Sequence, residues 1–379
     1  MAYKIAIVIP TITTISGNRT AFLLAKELNT YMPCVLICYE IEESQIKIVE
    51  NLLSPVHLFY KKKLKNGKYS IAKGLKDQFL RKRDRDLSKF ILQKDHFDVV
   101  LIISNEGKYL SYYLKKKNLE IITAISVMEL NDHFLFVPYR NKKHLVTYRQ
   151  TLFSFFYGVL RYFERERFFS FDLIFANSTW TAILFQYLYN INVVGNIIMI
   201  DNSLFKPVET RKFLDKFIAV PTVSLEGDIF GQQIVTKLVS DGIPIVSYGG
   251  FKIDNIPYVG YLNTNDMIKL LSDAYGTLFL FDYEALGLVP FESLACGTKV
   301  VTYNIQGPAS ELRDNNNVFF CNNYSEIKNA CLTILNEDKD KDSIKNCVNS
   351  VSKYFPENTA NNIFNVINNY KSQCNKNRY

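Results

Sequence analysis

Short, continuously apolar runs alternate along the chain with stretches whose apolar residues recur every three to four positions. Lys4–Ile9 reads as a strand, Thr13–Asn18 as a turn, and Phe22, Leu23, Leu24 and Leu28 mark a helix over 20–28. Further strands are expected at Cys34–Cys38, Val56–Tyr60, Asp98–Ile103, Ile121–Val127, Asp172–Ala176 and Asn196–Ile200. Helical periodicity lies between them, at about 71–94, 106–118, 149–168 and 179–188. Runs that are apolar throughout, rather than at every second residue, fit strands covered on both faces, as in parallel α/β sheets.

After Phe205-Lys206-Pro207-Val208 the chain turns polar up to Lys216, which suits a linker. The alternation then restarts, with strands expected at Phe217–Val220, Pro244–Tyr248, Thr277–Phe281 and Lys299–Tyr303. Helices are expected at 228–240, 264–274, 290–296 and 324–335, and an Asn-rich helical stretch from Asp338 to Tyr370. The fold class is therefore α/β, with two Rossmann-like, doubly wound domains facing across a cleft. The boundaries read as 1–205, 206–355 and a terminal segment 356–379.

Composition agrees with two packed domains and removes several classes. A length of 379 residues, 48% hydrophobic and 22% charged, is ordinary for a globular chain and unlike a disordered one. Net charge is +8, but residues 1–200 carry +11 and the remainder −3. Such asymmetry suggests halves with different partners: nucleic acid, anionic lipid or a phosphorylated substrate on the basic side. No nucleic-acid-binding motif accompanies the charge, so nucleic acid is not an expected partner. The run Arg81-Lys82-Arg83-Asp84-Arg85-Asp86 contains a formal D-x-D, read here as a solvated helix face because arginines would oppose a cation. Phe153, Phe156, Leu160, Phe163 and Phe168 recur at helical spacing, as a core-packed helix or as a surface resting on an anionic membrane.

The seven cysteines form no C-x-x-C pair, and His57, His96, His133 and His144 have no ligand spacing with them, so no metal site is expected. Met1-Ala2-Tyr3-Lys4 leads straight into a strand, which predicts a reducing, cytoplasmic setting. The best apolar run, Leu152–Leu160, stops at Arg161, short of a membrane span.

One segment carries the chemistry: Phe281-Asp282-Tyr283-Glu284-Ala285-Leu286-Gly287-Leu288-Val289-Pro290-Phe291-Glu292, followed by Gly297. A strand ends, a glycine loop follows, and Pro290 is expected at the first helical position. Backbone N–H groups around Gly287 and Leu288 then form an anion site at a helix start. Glu284 and Glu292 can face one crevice, where carboxylates accept hydrogen bonds from sugar or ribose hydroxyls.

This segment resembles the E-x7-E signature of retaining glycosyltransferases with the GT-B fold, most like glycosyltransferase family 4. The resemblance runs along most of the chain, through Ser16-Gly17-Asn18-Arg19, Phe171–Ser178, Ile200–Pro207, Tyr258–Leu262 and Gly307-Pro308-Ala309-Ser310-Glu311-Leu312. It implies a nucleotide-sugar donor as substrate, no cofactor and no metal, and a glycan, lipid-linked or protein acceptor. It also implies that the helix after Pro356 crosses back onto the first domain. Glu292 would bind the ribose and Glu284 the sugar, with the amides of Ala285, Leu286, Gly287 and Leu288 toward the donor. Gly17, Asn18, Gly249 and Gly250 would line the same site.

The family's R-x4-K after the first strand of the second domain is missing; Pro221 and Glu226 stand there. Arg19, Lys252 and Lys299 are the candidate replacements, Arg19 and Lys252 with a catalytic part in neutralising the diphosphate. The family's first-domain histidine is also out of register, with Glu129, Asp132 and His133 nearby. The alternative implied by these losses is a non-catalytic GT-B protein that binds nucleotide or glycan, or serves as a partner subunit.

Overall fold

The computed structural model describes residues 3–12, 18–64, 82–104, 107, 109–118, 120–127, 165–209, 216–225 and 228–376. Seven parallel strands build the first sheet: β1 (Ile5–Ile12), β2 (Cys34–Glu42), β3 (His57–Leu64), β4 (Val99–Ile103), β5 (Ile122–Val127), β6 (Leu173–Ala176) and β7 (Gly195–Asn196). Their order is β3-β2-β1-β4-β5-β6-β7. The helices described around it are α1 (Arg19–Leu28), α2 (Ile46–Leu53), α3 (Lys82–Lys94), α4 (Leu110–Lys115) and α5 (Thr179–Tyr189). The central strands are buried on both faces: Ile5, Ala6, Ile7 and Val8 have no exposed surface, and neither do Val99, Val100 and Leu101. That two-sided cover is the physical origin of the unbroken apolar runs.

The second sheet has five parallel strands, β8 (Ile218–Pro221), β9 (Ile245–Tyr248), β10 (Gly276–Phe279), β11 (Lys299–Tyr303) and β12 (Val318–Cys321), in the order β12-β11-β10-β8-β9. Its helices are α6 (Ile229–Ser240), α7 (Thr264–Asp273), α8 (Leu288–Ala295), α9 (Gln306–Leu312), α10 (Tyr324–Asn336) and α11 (Lys341–Ser350). The chain closes with α12 (Pro356–Lys376). Strand order reverses between β1 and β4 in one sheet and between β8 and β10 in the other. Ligands of doubly wound sheets bind outside the carboxyl ends of strands at such points.

Three expectations are corrected. The apolar run Asn196–Ile200 is not a full strand; only Gly195 and Asn196 pair with β6. Beyond them Ile197 and Met199 enter the first domain's core while Ile198, Ile200 and Phe205 enter the second's, so the run is apolar because it crosses between two cores. Arg83 and Asp84 are not solvated: they are 5% and 6% exposed, and Asp84 Oδ2 accepts the Tyr109 N–H at 3.0 Å. A buried charge survives only with partners, and the helix start at α4 supplies one. Finally, α2, α9 and β12 were not among the expected elements. Pro308 hid α9, yet it occupies the third helical position, where no N–H partner exists to lose.

α12 belongs to the first domain's core, where Ala360, Ile363 and Ile367 pack with the residues of α1. Ile363 is 1% exposed, so Ile363→Ala is expected to cost about 2–5 kcal/mol in a denaturant melt, through lost burial and the cavity left behind. A change of a few tenths would detach α12 from that core. Lys61, Lys62 and Lys63 stand exposed on the edge strand β3, where charge discourages pairing with another sheet. No described helix is long and apolar enough to cross a membrane.

Candidate functional site

Both reversal points carry a loop of interest. In the second domain β10 ends at Phe279 and α8 begins at Leu288, two residues ahead of the proline expected to open it. Pro290 is the third helical residue, still inside the first turn, where its missing N–H costs nothing. Gly287 precedes the helix at φ +71°, and a Cβ there would lie 2.9 Å from Phe279 Cε1 and 3.0 Å from Glu284 Cγ. Only glycine meets both demands.

The anion site formed by this helix start is already filled from within. Glu284 Oε1 accepts the Gly287 N–H at 3.0 Å and lies 3.4 Å from the Leu286 nitrogen. In this structure the Glu284 carboxylate and the Gly287 amide thus face each other. The physical reason is local: a carboxylate three residues before an uncapped helix start satisfies an orphan donor and faces the positive end of the dipole. Ala285 and Leu286 are buried at 6% and 8%, while Leu288 remains 41% exposed.

Glu292 is the fifth residue of α8 and half-buried. Burial pushes its carboxyl up to about 7, and the Arg19 guanidinium pulls in the opposite direction. Tyr248, at the end of β9, is pushed up by burial and then by the charge of Glu292, and its hydroxyl has no hydrogen-bond partner among the described residues. Cys296, one turn beyond Glu292, is raised to about 12 by the same two effects, burial first.

Arg19 is the first residue of α1, at the reversal point of the other sheet. Its Nε lies 3.5 Å from Asp201 Oδ2 and its guanidinium 5.7 Å from the Phe205 ring. Asp201 also accepts the Ser203 N–H at 3.2 Å, which fixes the crossing segment beneath the arginine. Arg19 and Glu292, on different domains, are thus brought within each other's field, but Arg19 already has a counter-ion. Gly17 lies outside the described residues, and Asn18 precedes α1 directly.

The other candidates separate. Gly249, at φ +123°, presses on the end of β8: a Cβ would meet Thr222 Oγ1 at 2.8 Å and Thr222 N at 3.3 Å. Gly250 follows it and Lys252 is exposed on the same loop. Lys299 is excluded as a replacement cation, because it opens β11 at the opposite end of the sheet from Gly287 and is ion-paired with Glu337. Pro221 ends β8, while Glu226, Glu129, Asp132 and His133 lie outside the described residues. Asp201, Tyr248, Gln306 and Glu311 were missed. Asp201 stood in a recognised segment but its partner is remote in sequence, and nothing in the Tyr248 or Gln306 context signals a site.

A cavity of about 520 Å³ opens beside this region, at the carboxyl ends of β11 and β12, lined by Phe230, Ile234, Tyr303, Ile305 and Tyr324. Its walls are mainly apolar, and Glu284 and Glu292 are not among them.

Residues 251–349 match the family model described as Glycosyl transferases group 1, a span that includes Glu284, Gly287 and Glu292. No curated protein sequence matches the chain significantly. Among solved structures, the chain is similar to a sucrose-phosphate synthase from Thermosynechococcus elongatus, with TM-score 0.69 and 12% identity over 98% of this chain and 100% of that one. It is similar to the N-terminal domain of a Candida albicans trehalose-6-phosphate phosphatase, with TM-score 0.67 and 12% identity over 98% and 97%. It is also similar to the Anabaena protein HepE in complex with UDP, with TM-score 0.65 and 13% identity over 97% and 100%. The fold is GT-B, with two Rossmann-like parallel-sheet domains.

Proposed function

We propose that the chain is a glycosyltransferase that moves a sugar from a nucleotide-sugar donor, held by the second domain, to an acceptor in the cleft. The observation that carries this reading is the Glu284–Glu292 segment, built at the reversal point of the second sheet and inside the family-matched span. The Glu292 carboxylate suits the ribose hydroxyls, and the start of α8 suits the diphosphate once Glu284 turns from the Gly287 amide to the sugar. Transfer proceeds with retention of configuration and without a metal; Arg19, at the head of α1, and Lys252 offset the diphosphate charge. A closed cleft keeps water from the donor, so transfer outruns hydrolysis. UDP bound to the Anabaena relative makes a uridine-diphosphate sugar the first donor to try. The acceptor is a glycan, lipid-linked or protein acceptor, and the basic first domain rests on an anionic membrane surface from the cytoplasmic side.

A second reading has its own support: a GT-B protein that binds nucleotide or glycan without transferring sugar. Arg19 is paired with Asp201 and Lys299 with Glu337, so two of the three replacement cations are engaged elsewhere. A panel of nucleotide-sugars scored by thermal stabilisation of wild type and Glu292→Ala tests the donor site. At least one donor is expected to stabilise wild type and to lose most of that effect in the variant. No shift with any donor, or equal shifts in both proteins, would sink the donor site. Release of nucleoside diphosphate from a stabilising donor then separates the two readings.

A further inference from the structure

Helix α9 touches both domains. At its start Gln306 Oε1 accepts the Glu284 N–H at 2.6 Å, and the Gly307 N–H donates to the Glu284 carbonyl at 3.1 Å. Both backbone polar groups of Glu284 are therefore held by α9. The contact is close: a Cβ on Gly307 would lie 2.2 Å from the Ala285 carbonyl oxygen and 2.6 Å from the Leu286 nitrogen. Gln306 adopts φ +58°, a left-handed conformation that a non-glycine residue keeps only where its surroundings impose it.

At the other end α9 grips the first domain. Ser310 Oγ accepts the Trp180 N–H at 3.2 Å, and the Glu311 carboxylate accepts the Thr179 N–H and, at 3.2 Å, Asn196 Nδ2. Those amides are the start of α5, where the helix dipole favours a carboxylate. The Tyr354 hydroxyl donates to the Glu311 carbonyl at 2.9 Å, and its ring meets Phe291 of α8 edge-on at 5.1 Å.

We propose that α9 couples the placement of the first domain to the conformation of the 284–288 loop, with Glu311 as the positioning residue. Seven residues, one side chain away from each domain, join the start of α5 to the backbone of Glu284. Moving the first domain away from α9 releases Glu311 and Ser310, and with them the helix that holds the loop in register. The coupling stands on geometry alone; its consequence, that domain closure arms the donor loop, rests on the glycosyltransferase reading.

Amide hydrogen exchange of the full chain, without nucleotide, tests it. Glu311→Ala is expected to speed exchange about ten-fold both at Thr179–Thr181 and at Leu286 and Gly287, with the β8 and β10 amides unchanged. Glu311→Gln keeps an acceptor oxygen and is expected to stay within about two-fold of wild type at all four places. Faster exchange confined to Thr179–Thr181, with Leu286 and Gly287 as slow as in wild type, would overturn the coupling. Should Glu311→Ala unfold as a whole, Ser310→Ala carries the same test with the same two outcomes. A nucleotide-sugar panel that failed on wild type would remove the donor reading and leave this result untouched.

Discussion

Glu284→Ala should lower sugar transfer by about 100-fold or more while nucleoside-diphosphate affinity holds or rises. The expectation follows from the carboxylate that accepts the Gly287 N–H at 3.0 Å. A phosphate and this carboxylate compete for one positively polarised helix start, and like charges there repel. A bare nucleoside diphosphate must displace Glu284 and gives it nothing in return. A nucleotide-sugar supplies hydroxyls, which the displaced carboxylate can accept. The side chain thus favours donor over product, which helps the spent nucleotide leave. Glu284→Gln separates its two properties, since the amide oxygen still accepts the Gly287 N–H without the charge. Calorimetry with the nucleoside diphosphate and with a donor sugar on all three proteins checks this. Wild-type turnover in the alanine variant, or a nucleoside diphosphate bound more than about ten-fold more weakly, would refute it.

Glu292→Gln should stabilise the protein at about pH 8 and make little difference at about pH 4. The Glu292 carboxyl is raised from 4.5 to about 7, chiefly by burial. A carboxyl raised in the folded state favours the protonated form. Its contribution is therefore full below the unfolded value and is lost as pH climbs through the folded one. That rise corresponds to roughly 3 kcal/mol, and to less because the side chain keeps some exposure. Glutamine has no charge to desolvate and flattens the profile between those limits. Denaturant midpoints for both proteins across that range give the answer, and parallel profiles would show that Glu292 does not titrate as its surroundings dictate. Arg19→Ala is expected to steepen the wild-type dependence, because it removes the charge that opposes the rise.

The strands were the most legible part of the chain. Ile5–Val8 and Val99–Ile103 declare themselves because a strand buried between two helical layers has no polar position to spare. The helices α2 and α9 did not, since α2 offers only Ile46, Val49 and Leu53 as buried positions and α9 carries Gly307-Pro308 in its first turn. The Glu284–Gly287–Glu292 spacing picked out the loop at the reversal point of the second sheet, but not the direction in which Glu284 turns. That direction depends on the left-handed Gly287 and on the α9 contacts to the Glu284 backbone, made from a segment that had looked like a loop. Likewise, Arg19 was visible as a cation, whereas its partner Asp201 lies on the crossing segment, far along the chain. Pairings of that kind come from the domain arrangement, which no local pattern encodes.

A crystal structure of the full chain with a bound nucleotide-sugar brings these expectations to one place. The ribose hydroxyls should lie within about 3 Å of the Glu292 carboxylate, with the diphosphate on the Gly287 amide and Glu284 turned toward the sugar. A nucleotide seated instead in the cavity between Phe230 and Tyr324, or bound while Glu284 still accepts the Gly287 N–H, would contradict the account.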